Sequence, residues 1–195
     1  ATEKEYDKEK ANKNCQILCS IRDILVEKKD VDKYESRVVE ALNRFFDGVL
    51  VHSDPEMIKL DTTFSRISEI GPPITYTGFI TPLPNDKKVA KIKADLKSSD
   101  DDVLIVISAG SGSVGGPLLK SAAMACDHLA CRENAVVRIF TGPYIDQEDK
   151  KTIVDISRRT KVKQMQVESF CSDFVSMVAA ADLSVSMAGY NTSMN

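Results

Sequence analysis

Three closely spaced glycines follow an unbroken apolar segment in the middle of the chain. The stretch VLIVISAGSGSVGGPLLKSAA, residues 103–123, contains Gly110, Gly112 and Gly115 and then a helical pattern that begins near Pro117. In a strand–turn–helix unit, glycines let the backbone approach a ligand, and free N–H groups at the helix start favour negative charge. The spacing therefore predicts a phosphate-binding loop. A tight turn that packs without any ligand is the structural alternative.

The ligand of this loop is not expected to be a nicotinamide cofactor. The spacing matches the dinucleotide fingerprint, but that fingerprint also needs an acidic residue at the tip of the second strand to bind ribose. Here the second strand, VVRIF, ends at Thr141, Gly142 and Pro143, while Glu133 precedes it and Asp146 follows the turn. The fingerprint is therefore incomplete.

A second glycine turn follows a later strand pattern. In SVSMAGYNTSMN, Gly189 is followed by Asn191, Thr192 and Ser193, small polar residues that can cap a helix or hydrogen-bond a ligand. Ligands of open α/β sheets collect at the carboxyl ends of the strands. Two glycine turns at that edge could hold one diphosphate between two helix starts, as a nucleotide sugar would require.

Secondary-structure elements must position these turns. Along the sequence, runs rich in β-forming residues alternate with helical patterns. Strands are predicted at 15–20, 48–53, 74–80, 103–108, 136–142, 162–167 and 182–186. Helices are predicted near 34–46, 85–98, 114–130, 146–159 and 171–180, with a further helix over 56–70. This rhythm predicts an α/β fold with parallel strands. The stretch GFITPLPNDKK breaks it and is interpreted as an interdomain linker.

The composition of the sequence narrows the classes of function that the protein can have. The 195 residues are 43% hydrophobic and 28% charged, which is typical of a globular protein with a core. A net charge of -3 without a basic patch disfavours a nucleic-acid partner. The sequence has no run long enough for a membrane span and no secretory signal, so we expect a cytoplasmic location. The five cysteines are interpreted as reduced thiols, and no residue cluster predicts a metal site.

Polar residues at two other predicted strand ends are candidates for catalysis. CQILCS ends at Arg22 and Asp23, and GVLVHS ends at His52, Ser53 and Asp54. These tips are expected to face a cleft between domains. His52 could act as a base near neutral pH, with Asp54 orienting it or capping the next helix. A hydrogen-bonded structural histidine and a local ion pair of Arg22 with Asp23 are the alternatives.

Several segments together resemble the predicted glycosyltransferases related to glycosyltransferase family 28, which includes the N-acetylglucosaminyltransferase of peptidoglycan synthesis. They are SIRDILVEK, GVLVHSDP, YTGFITP, VISAGSGSVGG, IFTGP and VESFCSDFVSMVAAADLSVSMAGYNTSMN. The resemblance spans nearly all of residues 15–195 and implies two Rossmann-like domains of the GT-B type. Residues 1–80 would then be the remaining acceptor-side domain, 81–102 the linker and first helix, and 103–195 the first half of the donor-binding domain.

The resemblance also implies roles for individual residues. The loop at 110–116 would face the donor diphosphate through Gly110, Ser111, Gly112, Ser113, Val114 and Gly115. The turn AGYNT would meet the phosphates through Gly189, Asn191 and Thr192, for which helix capping is a compatible alternative. SFCSD, residues 169–173, would meet the uracil, so Phe170 and Cys171 are candidate base contacts, with core packing as the alternative.

The reaction implied is transfer of a sugar from a nucleotide-diphosphate donor, expected to be a UDP-sugar, to an acceptor hydroxyl of unknown identity. Relatives invert the anomeric centre and need neither a metal nor a cofactor. A nucleotide-sugar epimerase of the same architecture and a non-catalytic nucleotide-sugar binder remain alternatives.

The ends of the sequence suggest that the natural chain is longer. The chain stops three residues after Thr192, although a buried strand needs a following helix to cover it, and residue 1 is Ala rather than Met. We therefore expect these residues to be the middle of a longer protein, which could associate with a membrane surface. The chain by itself need not be active.

Overall fold

The computed structural model describes residues 15–22, 29–128, 134–189 and 192. The chain divides into two compact units, residues 1–80 and residues 81–195. The boundary falls within the proline-containing stretch that the sequence analysis interpreted as a linker. The assignment of the units as acceptor-side and donor-side domains stays a prediction.

The first unit is built on a three-stranded parallel sheet. Its elements are β1 Leu18–Ile21, α1 Val31–Phe45, β2 Gly48–Val51 and β3 Ile74–Tyr76, and the strand order is β1-β2-β3. Val39 and Leu42 of α1 share a buried cluster with Val49 and Val51 of the central strand. Asp30 caps the helix by accepting a hydrogen bond from the Lys33 amide.

The predicted helix over 56–70 is wrong. The segment instead contains two 3₁₀ helices, Leu60–Thr62 and Ile67–Glu69. The Leu60 amide donates to the Tyr76 hydroxyl at 2.9 Å, and the Ser65 amide donates to the Glu35 carboxylate at 2.9 Å. Because side chains from neighbouring elements satisfy these amides, the segment does not need a continuous helix to bury them.

The second unit is built on a four-stranded parallel sheet with the order β6-β5-β4-β7. Its elements are α2 Asp86–Leu96, β4 Val103–Ser108, α3 Gly116–His128, β5 Ala135–Phe140, α4 Gln147–Arg159, β6 Gln164–Glu168, α5 Phe174–Ala180 and β7 Leu183–Ser186. The strand pairs are parallel in both sheets. The prediction of an α/β fold with parallel strands is therefore confirmed.

Helices cover both faces of the second sheet. Ile105 and Ile107 of β4 belong to a cluster with residues of α3 and α4. Leu104 and Val106 belong to a second cluster with residues of α2 and α5. Because side chains alternate along a strand, Ser108 at the end of β4 lies on the α2 and α5 side.

An ion pair between the buried Asp102 carboxylate and the partly exposed Lys163 lies at the amino-terminal edge of this sheet. Asp102 is 2% exposed and accepts hydrogen bonds from Lys163 Nζ at 2.7 Å, from the Ser98 amide at 2.6 Å and from the Ser99 amide at 3.1 Å. The hydrogen bond from Lys163 lowers the pKa of Asp102 most, and the two amides lower it further against the opposing effect of burial. Asp102 thus joins the turn before β4 to the residue before β6.

The Asp102→Asn variant should be less stable at neutral pH and less sensitive to acid. Because the pKa of Asp102 is lower in the folded chain than in the unfolded chain, its contribution is present above the ordinary carboxylate pKa of about 3.9 and is lost as the pH falls through the lowered value. Urea unfolding between neutral and acidic pH would measure this. The control is Asp95→Asn, which removes an exposed partner of Lys91 and should change stability little. Equal acid sensitivity of Asp102→Asn and the wild type would contradict the prediction.

Candidate functional site

A pocket opens at the carboxyl ends of β4, β5 and β6. Its volume is about 220 Å³. The residues that line it are Ser108, Gly110, Phe140, Gly142, Pro143, Ser169, Phe170, Cys171, Phe174 and Thr192. The pocket therefore lies where open α/β sheets bind their ligands.

Four residues singled out from the sequence meet in this pocket. Gly110 comes from the first glycine turn, Phe170 and Cys171 follow β6, and Thr192 comes from the second glycine turn. These segments are far apart in the chain, and the parallel sheet brings their ends to one edge. The structure thus brings one residue from each of the two predicted turns and two residues of the proposed base segment to one pocket.

Other residues predicted for this site lie elsewhere. Ser111, Gly112, Ser113, Val114 and Gly115 belong to the same loop but do not line the pocket, and Val114 is 73% exposed.

The second glycine turn is described only in part. Gly189 is exposed and does not line the pocket, whereas Thr192 does. Asn191 lies outside the described residues.

The first glycine loop and the loop after β5 cross with backbone against backbone. A Cβ at Gly112 would collide with the Thr141 carbonyl oxygen, and a Cβ at Gly142 would collide with the Ser111 backbone. Both glycines also have positive φ angles, 90° and 77°, which other residues adopt with strain. The glycine at 112 is therefore needed for packing between loops, whether or not a ligand is bound.

Gly115 and Gly110 serve the loop in different ways. A Cβ at Gly115 would collide with Ala109, so this glycine lets the start of α3 pack on the end of β4. At Gly110, with a φ of 59°, a Cβ would meet nothing within 4 Å. The amides of Gly112 and Gly115 donate within the loop, to the carbonyl oxygens of Ala109 and Gly112 at 3.1 and 3.4 Å. Of the three fingerprint glycines, Gly110 is the one that faces the pocket.

Phe170 and Cys171 form one side of the pocket. The Phe170 side chain is 72% exposed, so core packing does not account for it. Cys171 is half-buried against the α2 and α5 cluster, and burial raises the pKa of its thiol. Core packing therefore accounts for part of the Cys171 environment, while Phe170 offers an open aromatic face.

Polar contacts hold this segment in place on both sides. Before it, Lys150 Nζ of α4 donates to Ser169 Oγ at 2.8 Å. After it, the Asp173 carboxylate caps α5 by accepting from the Ser176 amide at 3.3 Å and forms an ion pair with Lys88 at 2.7 Å. The aromatic wall of the pocket is thus anchored to α4, α5 and α2.

Ser108 is a pocket residue that the sequence analysis did not single out. It is 3% exposed, and within the described part of the chain no group hydrogen-bonds its Oγ. Phe140 and Ser186 are its register neighbours on the two adjacent strands. The available sequence signal was a serine that ends an otherwise apolar strand directly before a glycine turn.

In the first unit, His52 bridges hydroxyl groups from two neighbouring strand ends. Its Nε2 lies 2.7 Å from Ser20 Oγ, and its Nδ1 lies 2.8 Å from Thr77 Oγ1. The Thr77 hydroxyl donates its proton to the Gly78 carbonyl oxygen at 3.0 Å. The Thr77 oxygen is therefore assigned as the acceptor of the hydrogen bond from His52 Nδ1–H. Nε2 then accepts the hydrogen bond from the Ser20 hydroxyl. This is the hydrogen-bonded arrangement that the sequence analysis kept as an alternative.

The other two catalytic candidates are not brought into that arrangement by the described contacts. The Asp54 carboxylate accepts a hydrogen bond from the Glu56 amide at 2.9 Å, and its backbone carbonyl accepts from the Ile58 amide at 2.9 Å. Asp54 thus caps the turn after β2. Asp23, and with it the suggested ion pair to Arg22, lies outside the described residues.

Comparison with solved structures gives a limited structural likeness. No family model matches the chain, and no curated protein matches it. The crystal structure of HepE from Anabaena in complex with UDP and glucose is similar over 87% of this chain, with a TM-score of 0.48 and 14% sequence identity. The similar region covers 45% of the HepE chain, so this chain spans less than half of that length.

Two further properties concern only the residues that the structure describes. They contain no group of three or more His, Cys, Asp or Glu side chains placed to hold a metal ion. None of their helices has both the length and the apolar character needed to cross a membrane.

Alanine substitutions at Gly110 and Gly112, which both have positive φ angles, should separate the stability cost of a steric clash from that of an unfavourable backbone conformation. We expect Gly112→Ala to cost about 3 kcal/mol of unfolding free energy, because the added Cβ meets the backbone of the crossing loop and the φ angle is unfavourable. Gly110→Ala should cost about 1–2 kcal/mol, because it meets only the conformational penalty. Urea unfolding measures both values. Equal losses would show that the loops do not cross as described.

Removing the His52 side chain should destabilise the first unit by about 1–2 kcal/mol, because two interstrand hydrogen bonds are lost. In urea unfolding, Thr77→Val should lower the free energy of unfolding less in a His52→Ala background than in the wild type, since the two residues share one interaction. Thr75→Val, at an exposed position on β3, is the matched control. Independent effects of His52 and Thr77 would contradict the described contact.

Proposed function

We propose that the second unit binds the nucleoside-diphosphate part of a sugar donor, with a UDP-sugar as the expected ligand, and that the protein transfers the sugar to an acceptor hydroxyl. One observation carries the proposal. A single pocket at the carboxyl edge of the sheet brings together Gly110, Phe170, Cys171 and Thr192, to which the family resemblance gave contacts with that ligand.

The lining of the pocket divides into two chemical halves. Phe140, Phe170 and Phe174 provide an aromatic half, which suits a planar nucleobase. Gly110 provides backbone groups close in sequence to the start of α3 at Gly116, and Thr192 provides a hydroxyl group. The positive end of a helix dipole favours a diphosphate. A nucleoside diphosphate presents both kinds of group.

The transfer itself would form one bond and break another at the anomeric carbon. The acceptor oxygen attacks this carbon, its proton passes to a base, and the nucleoside diphosphate leaves with the bonding electron pair. Backbone amides at helix starts would stabilise the leaving diphosphate without a metal. His52 of the first unit is the proposed base. Thr77 fixes its tautomer, and Ser20 must release Nε2 before that nitrogen can take the proton of the acceptor hydroxyl. Inversion at the anomeric carbon is part of this proposal.

A non-catalytic nucleotide-sugar binder is the second candidate. It is favoured by the engagement of both ring nitrogens of His52 with Ser20 and Thr77, which gives the histidine a structural role. A nucleotide-sugar epimerase would use the same diphosphate contacts. UDP release that depends on an added acceptor would distinguish a transferase from both.

Calorimetric titration with UDP, UDP-N-acetylglucosamine and NAD tests the proposed ligand. We expect both uridine nucleotides to bind and NAD not to bind, and we expect Phe170→Ala to weaken UDP binding about 3- to 10-fold because an aromatic contact is lost. Tyr144→Ala is the matched control, since Tyr144 is 73% exposed and does not line the pocket. Binding of NAD in preference to UDP, or no binding of a uridine nucleotide, would overturn the proposal.

A further inference from the structure

The Ser108 hydroxyl is a buried polar group without a partner in the described part of the chain. Ser108 lies at the end of β4 and is one of the residues that line the pocket. A buried hydroxyl that makes no hydrogen bond costs free energy, because it has lost its contacts with water. Such a cost is accounted for if the hydroxyl bonds to a ligand that enters the pocket.

The surroundings of Ser108 define what that ligand group must be. Phe140 is the register neighbour of Ser108, and its ring meets that of Phe174 edge to face, with centroids 5.8 Å apart and planes at 90°. Cys171 packs on the same side of the sheet. These side chains present no strong hydrogen-bond donors, so they would not support the several charged oxygens of a phosphate. They suit a flat, largely apolar ring with a polar edge.

We infer that Ser108 contributes to recognition of a heterocyclic base held in the aromatic half of the pocket by hydrogen-bonding the polar edge of that base. The inference rests on the proposed function, because it assigns the base of the proposed nucleotide. The ring carbonyl and N–H groups of such a base lose water on entering the pocket and need partners. A serine hydroxyl can both donate and accept, so it can pair with either kind of group.

The other serine hydroxyl that lines the pocket is already engaged. Ser169 Oγ accepts a hydrogen bond from Lys150 Nζ at 2.8 Å. Its position is thereby fixed by α4, and its role in holding the pocket wall is accounted for. Ser108 differs because the sheet buries its hydroxyl and the described contacts leave it unsatisfied.

The Ser108→Ala variant tests the inference because binding and stability should change independently. We expect it to weaken binding of uridine and of UDP by about 5- to 20-fold in calorimetric titration, since one buried hydrogen bond is lost. We expect its binding of inorganic pyrophosphate to equal that of the wild type. The urea midpoint should stay the same or rise, since an unsatisfied buried group is removed. Ser186→Ala is the matched control, because Ser186 is the register neighbour of Ser108 but does not line the pocket.

The other outcomes are equally decisive. If the wild type binds UDP and Ser108→Ala binds it equally well, the inference fails while the proposed function stands. If Ser108→Ala weakens pyrophosphate binding as much as UDP binding, the hydroxyl meets a phosphate and the assignment to the base fails. A lower urea midpoint would show that Oγ is bonded within the folded chain and would also overturn the inference. A wild type that binds none of the three probes would overturn the proposed function and the inference together.

Discussion

The candidate site depends on the crossing of two loops with no side chain between them. Gly112 and Gly142 bring the loops after β4 and β5 into backbone contact, and the Tyr144 amide donates to the Ser111 carbonyl oxygen at 3.0 Å. Because this crossing fixes both loops, it also fixes the positions of Gly110 and Pro143 at the pocket. A glycine spacing that resembles a ligand-binding fingerprint is therefore partly a packing requirement, and Gly110 is the fingerprint glycine that lines the pocket.

The opposite side of the pocket is held by polar contacts. The Thr141 amide donates to the Glu168 carbonyl oxygen at 2.9 Å, Lys150 bonds to Ser169, and Asp173 caps α5. Between these contacts the chain can expose a large aromatic side chain at Phe170 without losing its own position. An exposed apolar ring costs free energy in water, and a preorganised ring loses less entropy on binding than a flexible one. The polar contacts thus fix the segment that carries the exposed Phe170 ring.

The sequence predicted the second sheet better than the segments that depend on tertiary contacts. The apolar run at 103–108 corresponds to β4 because a central parallel strand is buried on both faces. The periodicity at 56–70 indicated a helix, but Tyr76 and Glu35 stabilise a different backbone, and neither contact can be seen in a local window. Phe170 was found through a family resemblance. Ser108 was missed because its type is ordinary and only its burial without a partner makes it notable.

His52 and Ser108 show why chemical type and hydrogen-bond satisfaction must be weighed together. A histidine at a strand end attracts a catalytic interpretation, yet both of its ring nitrogens have hydroxyl partners that explain its position. A serine at a strand end does not by itself suggest catalysis, yet the buried Ser108 Oγ has no hydrogen-bond partner in the described part of the chain. The hydrogen bonds of the folded chain account for the position of His52, whereas the unpartnered Ser108 hydroxyl reduces the stability of the folded chain. When a polar group at a pocket opposes folding, ligand binding is one physical process that can offset its burial, so the stronger indication of recognition in this chain comes from Ser108.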